Sequence, residues 1–407
     1  MSSKNNSFLP YGKHYIDDDD INAVTEVLKS DWLTTGPKTE EFERMISEKF
    51  DVRQSISCVN GTAALHLAAK ALNLKEGDVV VVPAMTFVAT ANAIRYTGAD
   101  IIFADVDPEN GLMTKESFSD VLSKSENIKA VFPVHLNGQL VDMKEISILA
   151  KEKGIKIVED SCHAIGSKYA YKDMDTSYTG NCIYSDMTVF SLHPVKNITS
   201  GEGGIVCTNH EKYAKSIRKL RNHEIVKDSE NFININNSKD NNNLTNPWYY
   251  EVQDLGFNYK LSDIHCALGL SQLRKLDKFT HRRDSLVSSY NKKFKKVNNI
   301  IKSIKRVNTC FPAWHLYPVH IDFDRLRISK AKLMKLLLKR NIGTQVHYIP
   351  LHFQPYYMDL YKEIYLPGSE KYYNSILSLP LYVTMTEDDI TYICDNIVDI
   401  INSNLNE

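Results

Sequence analysis

Ser191, His193 and Lys196 fall within the stretch SLHPVKNITSGEGG, just ahead of Gly201, Glu202, Gly203 and Gly204. The alternating apolar residues of MTVFSL predict a strand that runs into it. Lys196 then sits on irregular backbone at a strand end, where reactive side chains are commonly carried. An amine there can act as a nucleophile. Most lysines are solvated surface charges, and the chain holds 49 Lys and Arg, so the chemical reading of Lys196 depends on partners elsewhere.

Four segments offer such partners. NGTAAL, residues 60–65, follows the strand-like SISCV and opens a helical run. The N–H groups of Gly61, Thr62 and Ala63 and the Thr62 hydroxyl would face any anion at that helix N-terminus; an ordinary turn capped by Thr62 fits the pattern equally well. IKIVED ends on Asp160, either a helix cap, the commoner case, or the partner of a protonated ring nitrogen. MTFVAT sets Phe87 after VVVV, as a packed core ring or as a face over a planar ligand. GFNYKLSDI places Asn258 and Tyr259 before a helical pattern, as caps or as groups that reach a ligand. Together these supply an amine, an acid, a stacking face and a phosphate cradle, which is what pyridoxal phosphate requires. In that chemistry Asp160 keeps the pyridine nitrogen protonated, and Lys196, once displaced by an incoming amine, carries the proton.

The elements that must position these groups follow from periodicity. From about residue 55, strand-like and helix-like segments alternate: SISCV and TAALHLAAKAL, VVVV and ATANAIRYTG, DIIFADV and KESFSDVLSK, KAVFPVH and MKEISILAKEKG, then IKIVED. This rhythm predicts parallel βαβ units with ligands at the carboxyl ends of the strands. Asp17 to Asp20 precede an apolar periodic run and complement a helix N-terminus. Residues 227–247, rich in Asn with Asp, Ser and Pro, read as a loop. Beyond them LSDIHCALGLSQLRKLDKFTHRRDSLVSSYNKKF reads as one long amphipathic helix that bridges to a C-terminal domain of mixed strands and helices.

A chain of 407 residues with 43% apolar composition buries a full core and divides into two domains, expected at 1–265 and 266–407. The net charge of −1 and the interspersed charged residues argue against a nucleic-acid binder or a membrane-surface protein. Seven scattered cysteines without a CxxC pair fit a reducing compartment and give neither a disulfide framework nor a metal site. MSSKNNSFLP lacks the basic start and apolar core of a signal peptide, and the most apolar segment is too interrupted to span a bilayer. A cytoplasmic location is expected.

At the residues named above the chain resembles the DegT/DnrJ/EryC1/StrS sugar aminotransferases, from about residue 10 to the C-terminus. The landmarks are LTTGPKTEEFE, NGTAAL, PAMTFVATANAI, PVHLNGQ, VEDSCHAIGS, SLHPVKNITSGEGGIV, LRNHEI, LGFNYKLSDIHCALGLSQL and GTQVHYIPLHFQPYY. The resemblance implies an α/β fold type I transferase: a large domain with a mixed, mostly parallel sheet between helices, and a smaller α+β C-terminal domain. By position, Lys196 matches the Schiff-base lysine, Asp160 the pyridine partner, Phe87 the stacking aromatic and His163 a position, often Gln or His, beside the cofactor ring. Thr62 with its neighbouring backbone and Ser191 match phosphate ligands. Asn258 matches a residue that reaches the phosphate of the neighbouring subunit's cofactor, which implies a homodimer with shared active sites.

VEDSCHAIGS, WHLYPVH and QVHYIPLH most resemble the family's transaminases of pseudaminic acid synthesis. They imply a UDP-linked 4-keto-6-deoxy-N-acetylhexosamine as acceptor and glutamate as amine donor. Arg221, His223, Tyr348 and His352 are candidates for contacting the nucleotide sugar, and each equally fits a surface or packing role. Leu192 stands where the family usually has Phe, Glu224 follows His223 where Gly is common, and Asn137 replaces a frequent aromatic. Three rivals have less support. The family's sugar dehydratases carry His in place of the lysine, a nucleotide-dependent oxidoreductase lacks its GxGxxG after the first strand, and a non-catalytic binding module has no need of Lys196 with Asp160.

Overall fold

In the strand Val79–Pro83, Val80 and Val82 join one apolar cluster and Val81 another. Such a strand is buried on both faces, as a strand between two layers of helices must be. The computed structural model in which this is seen describes residues 7–405 apart from 126, 173, 296, 298 and 299. Residues 1–6, part of the stretch read for a signal peptide, lie outside the described residues.

The central sheet has seven strands: β1 Gln54–Cys58, β2 Val79–Pro83, β3 Asp100–Ala104, β4 Ile128–Val131, β5 Lys156–Asp160, β6 Met187–Ser191 and β7 Gly204–Thr208. Their order is β1-β7-β6-β5-β4-β2-β3. All neighbours pair in parallel except β7, which runs antiparallel to both β1 and β6. This is the mixed, mostly parallel sheet of a fold type I transferase, as expected. A second sheet of three antiparallel strands, Ile301–Ser303, Tyr317–Ile321 and Ile376–Leu379, shares one apolar cluster with the helices Lys330–Leu338 and Glu387–Leu405.

Two expectations about the later chain need correction. The long bridging helix is two helices, Asp263–Arg274 and Leu276–Phe294, which meet at Lys275. There the Lys275 N–H reaches back only to the Gln272 carbonyl, a three-residue closure that interrupts the α-helical ladder. The Lys275 ammonium contacts the carboxylates of Asp17 and Asp20, so the break ties the bridge to the first helix, Asp18–Leu28 (α1). Asp17 caps α1 with Asp20 in a reciprocal capping box.

The Asn-rich segment also carries structure. It holds a turn of 3-10 helix, Ser229–Asn231, and a short helix, Ile235–Ser238. The two strands Ile225–Val226 and Glu251–Val252 close it off. The Glu251 carboxylate accepts from the N–H groups of Ile233 at 2.8 Å and Asn234 at 2.7 Å, and Phe232 packs on Tyr249. Composition across 227–247 does not reveal this because the anchor lies just beyond the biased run.

The second helix, Pro37–Phe50 (α2), has no side-chain cap of its own. The buried carboxylate of Asp263 takes that place, accepting from the backbone of Gly36 (2.9 Å), Lys38 (3.1 Å) and Thr39 (3.3 Å) and from the Thr39 hydroxyl (2.7 Å). Removing a buried, multiply bonded carboxylate at a helix N-terminus costs about 3 kcal/mol. Asp263→Ala should therefore lower the thermal midpoint by about 3 °C in a chain of this size, read by circular dichroism. An unshifted midpoint would show that Asp263 does not hold α2.

Candidate active site

The strand registers bring the candidate residues to one edge of the sheet. Gly204 lies opposite Cys58 on β1 and Ser191 on β6, while Asp160 pairs with Val189. The carboxyl ends of β1, β6 and β5 thus lie along one edge, with β7 between the first two. Gly204 is needed there, since a Cβ would stand 2.2 Å from the Asn60 carbonyl oxygen. Just beyond these ends lies a cavity of about 630 Å³. It is lined by Gly61, Thr62, Phe87, Asp160, His163, Ser191, Lys196 and Tyr348 among others.

Each group presents a distinct chemistry. The helix Gly61–Ala71 (α3) is capped by Asn60, whose side chain accepts from the Ala63 N–H at 2.8 Å. The cap is therefore Asn60 and not Thr62, and the Ala63 N–H is already engaged. Gly61 and Thr62 face the cavity beside Ser191, and a Cβ on Gly61 would lie 2.8 Å from the Ser191 Cβ. Together they form a cradle at a helix N-terminus, suited to an anion.

Asp160 is 4% exposed. One of its oxygens accepts from the Thr90 hydroxyl at 2.6 Å and the other from the Cys162 N–H at 3.1 Å. Phe87 is 54% exposed and tilts over the cavity with its ring 5.7 Å from that of Tyr348. That exposure removes the core-packing alternative. Burial holds the Lys196 ammonium below the usual lysine value, against the opposing pull of Cys162 and Asp160.

Three histidines that sequence reasoning left aside or weighed only by position form one wall. His163, His315 and His347 all line the cavity, and the rings of His163 and His315 are 4.5 Å apart. Burial, then the positive field of Lys196, pushes His163 well below the ordinary histidine value; burial followed by His163 and Lys196 does the same to His315. His347 is pushed down to about 3 by burial and Lys196. All three are neutral near pH 7.

Thr90, Cys162, His315 and His347 were not picked out from the sequence. Thr90 had a usable signal, one helical turn after Phe87 in TFVAT. His315 and His347 had none beyond their presence in WHLYPVH and QVHYIPLH.

Four candidates stand away from the cavity lining. The Arg221 guanidinium is taken up by the Glu43 carboxylate at 2.5 Å and the Ser57 carbonyl at 2.6 Å. His352 is buried against Phe103 and Phe353, with Glu370 3.7 Å away. His223 and Asn258 are exposed on the segment that follows the helix Glu211–Leu220, where Asn258 bridges to Asn222.

The donor set fits pyridoxal phosphate. It has a partly buried amine, a buried carboxylate in the cavity wall, a half-exposed aromatic face and an anion cradle that any larger residue at Gly61 would fill.

A model of the DegT/DnrJ/EryC1/StrS aminotransferase family matches residues 14–398. The chain is 35% identical to the spore coat polysaccharide biosynthesis protein SpsC of Bacillus subtilis, over 98% of this chain and 99% of that one. It is also 35% identical to a UDP-4-amino-4,6-dideoxy-N-acetyl-beta-L-altrosamine transaminase of Campylobacter jejuni, over 97% of each. Among solved structures it is similar to Helicobacter pylori PseC, an aminotransferase involved in pseudaminic acid biosynthesis, with a TM-score of 0.87 and 27% identity over 98% of this chain and 100% of that one. Spr1654 of Streptococcus pneumoniae, solved in a PLP-form, matches with a TM-score of 0.86 and 25% identity over 98% and 100%.

A lysine whose proton affinity is lowered presents its free amine at lower pH than usual. The rate at which apoprotein captures pyridoxal phosphate should rise with pH to a midpoint below the ordinary 10.5, followed by visible absorbance. Lys196→Ala should abolish that band, and Asp160→Asn should reduce kcat by about 100-fold or more through loss of a buried charge-assisted hydrogen bond. A band that persists in Lys196→Ala would remove Lys196 from the chemistry.

Proposed function

Because the chain belongs to the DegT/DnrJ/EryC1/StrS aminotransferase family, whose members are pyridoxal-phosphate-dependent sugar aminotransferases, we propose that it transfers an amino group from glutamate to C4 of a UDP-linked 4-keto-6-deoxy-N-acetylhexosamine. The product would feed the synthesis of pseudaminic acid, a surface-glycan precursor. The observation that carries the reaction is the meeting of Lys196 and Asp160 at one cavity under the Phe87 face. The choice of sugar is supported by the likeness to the Campylobacter jejuni transaminase over nearly the whole of both chains.

Pyridoxal phosphate, when bound, supplies an electron sink for the pair left as the carbon–hydrogen bond beside the donor nitrogen breaks. The chain's own residues do the rest. Gly61, Thr62 and Ser191 hold the phosphate end by backbone and hydroxyl donors. The Asp160 carboxylate, oriented by the Thr90 hydroxyl and the Cys162 N–H, holds a proton at the ring nitrogen by a charge-assisted bond. Lys196 Nζ takes up and returns the proton at the carbon that bears nitrogen, a task suited to an amine whose proton affinity burial has lowered. Phe87 covers one face and keeps water from it.

The active form in this reading is a cytoplasmic homodimer with shared sites. No helix among the described residues is long and apolar enough to cross a membrane. Asn258 is exposed, and the same excursion of the chain carries Ile233, Trp248 and Leu255, each 76% exposed. Apolar side chains this exposed on one segment favour burial against a second copy, where Asn258 would reach that copy's cofactor phosphate.

The purified enzyme should convert glutamate and the UDP-linked 4-keto sugar to 2-oxoglutarate and a 4-amino sugar identified by product NMR, with dTDP-linked sugars poorer. Faster turnover of a dTDP-linked or 3-keto sugar would replace the acceptor named here. Asn258→Ala should weaken cofactor retention. Mixed dimers of Asn258→Ala with Lys196→Ala should recover partial activity, and recovery of none would argue against shared sites.

A further inference from the structure

The His163 ring is held from both sides. Its Nδ1 lies 3.4 Å from the backbone N of Asn137, whose N–H points at it, and its Nε2 lies 2.9 Å from Tyr348 Oη. A backbone N–H can only donate, so Nδ1 must carry the lone pair, and the one proton of the neutral ring belongs on Nε2. Nε2–H therefore donates to Tyr348 Oη. That leaves the phenol's own proton without an acceptor among the described residues, on a side chain that lines the cavity. A flipped ring would set carbon against the Asn137 N–H and forfeit both bonds.

Asn137 is built for this task. Its backbone is left-handed, with φ 63° and ψ 2°, a conformation Asn tolerates better than most residues. Its carbonyl accepts from the His315 N–H at 3.0 Å, and its side-chain amide donates to Tyr372 at 3.1 Å. One buried residue thus contacts two of the cavity histidines.

We infer that Tyr348 is a catalytic hydrogen-bond donor to the carbonyl oxygen of the keto substrate, aligned by a relay from the Asn137 N–H through the His163 ring. The inference rests on the ketone-aminating reading above and names the group that meets the reacting oxygen. As nitrogen attacks the ketone carbon, negative charge grows on that oxygen, and a donor already in place stabilises it without reorganisation. Burial, with the Asp160 charge next, holds the phenol protonated far above neutral pH, so Tyr348 keeps its proton throughout. His163 acts through Tyr348 and is a positioning residue.

Two measurements test this on the holoenzyme. Tyr348→Phe should lower kcat about 100-fold while KM for the keto sugar stays within about threefold, the signature of an interaction made in the transition state. His163→Leu should show the same split. His163→Gln, whose amide oxygen can accept from Asn137 and whose NH2 can donate to Tyr348, should restore kcat to within about tenfold of wild type.

Separately, the nitrogen-15 shifts of the histidine ring that disappears in His163→Gln should report the neutral, Nε2-protonated form at pH 7. Unchanged kcat in Tyr348→Phe, a loss confined to KM, or an Nδ1-protonated or charged His163 would each overturn the inference. If the wild type aminates no keto sugar, the function proposed above falls, and the nitrogen shifts still decide the relay.

Discussion

The site depends on the register of four strands and on the single antiparallel one among them. β7 lies between β1 and β6, and its first residue, Gly204, meets the last residues of both, Cys58 and Ser191. With no side chain at Gly204, the turn after Cys58 can close over it, and the Asn60 carbonyl approaches where a Cβ would otherwise stand. That approach sets the N-terminus of α3 against Ser191. A slip of one residue in this register would turn every side chain of the strand to the other face and scatter the cradle. The phosphate end and the strand carrying Asp160 are thus positioned by backbone pairing, the least variable interaction available.

Charge at the cavity is governed by burial. Lys196 is the one lysine lining it among the described residues and is held below its ordinary proton affinity, and His163, His315 and His347 are neutral. Asp160 is kept in place by a hydroxyl and a backbone N–H, with no salt bridge among the described residues. An ion pair would fix its charge and occupy the lone pairs that a ring nitrogen needs. Neutral partners leave them free.

The departures from the family pattern acquire physical meaning in the backbone. Asn137 and Glu224 both adopt positive φ. At Glu224 that conformation suits a Gly and strains a residue with a Cβ. At Asn137 it aims a peptide N–H at His163. Leu192 is wholly buried among Phe190, Ile198 and Ile205, a change of packing shape behind the cavity-lining Ser191.

What the sequence determined by itself was local. Strand ends and helix starts follow from period-two and period-3.6 patterns and from Asn, Gly and Asp at the junctions. Lys196, Asp160, Phe87 and the turn at Gly61 were therefore legible as groups at strand ends, and the βαβ rhythm implied that such ends share an edge. Tertiary structure decided which alternatives were real. Phe87 is a cavity wall, Asn60 is the cap of α3, and Arg221 is spent on Glu43. It also added Thr90, His315 and His347. The two histidines come from segments far along the chain that reach the strand ends only in the folded molecule, as Tyr348 beside His347 reaches His163 across 185 positions. No local periodicity encodes a contact of that span: a buried histidine in one strand-like run looks the same whether it faces core or cavity, and only the packed partner on the other side tells them apart.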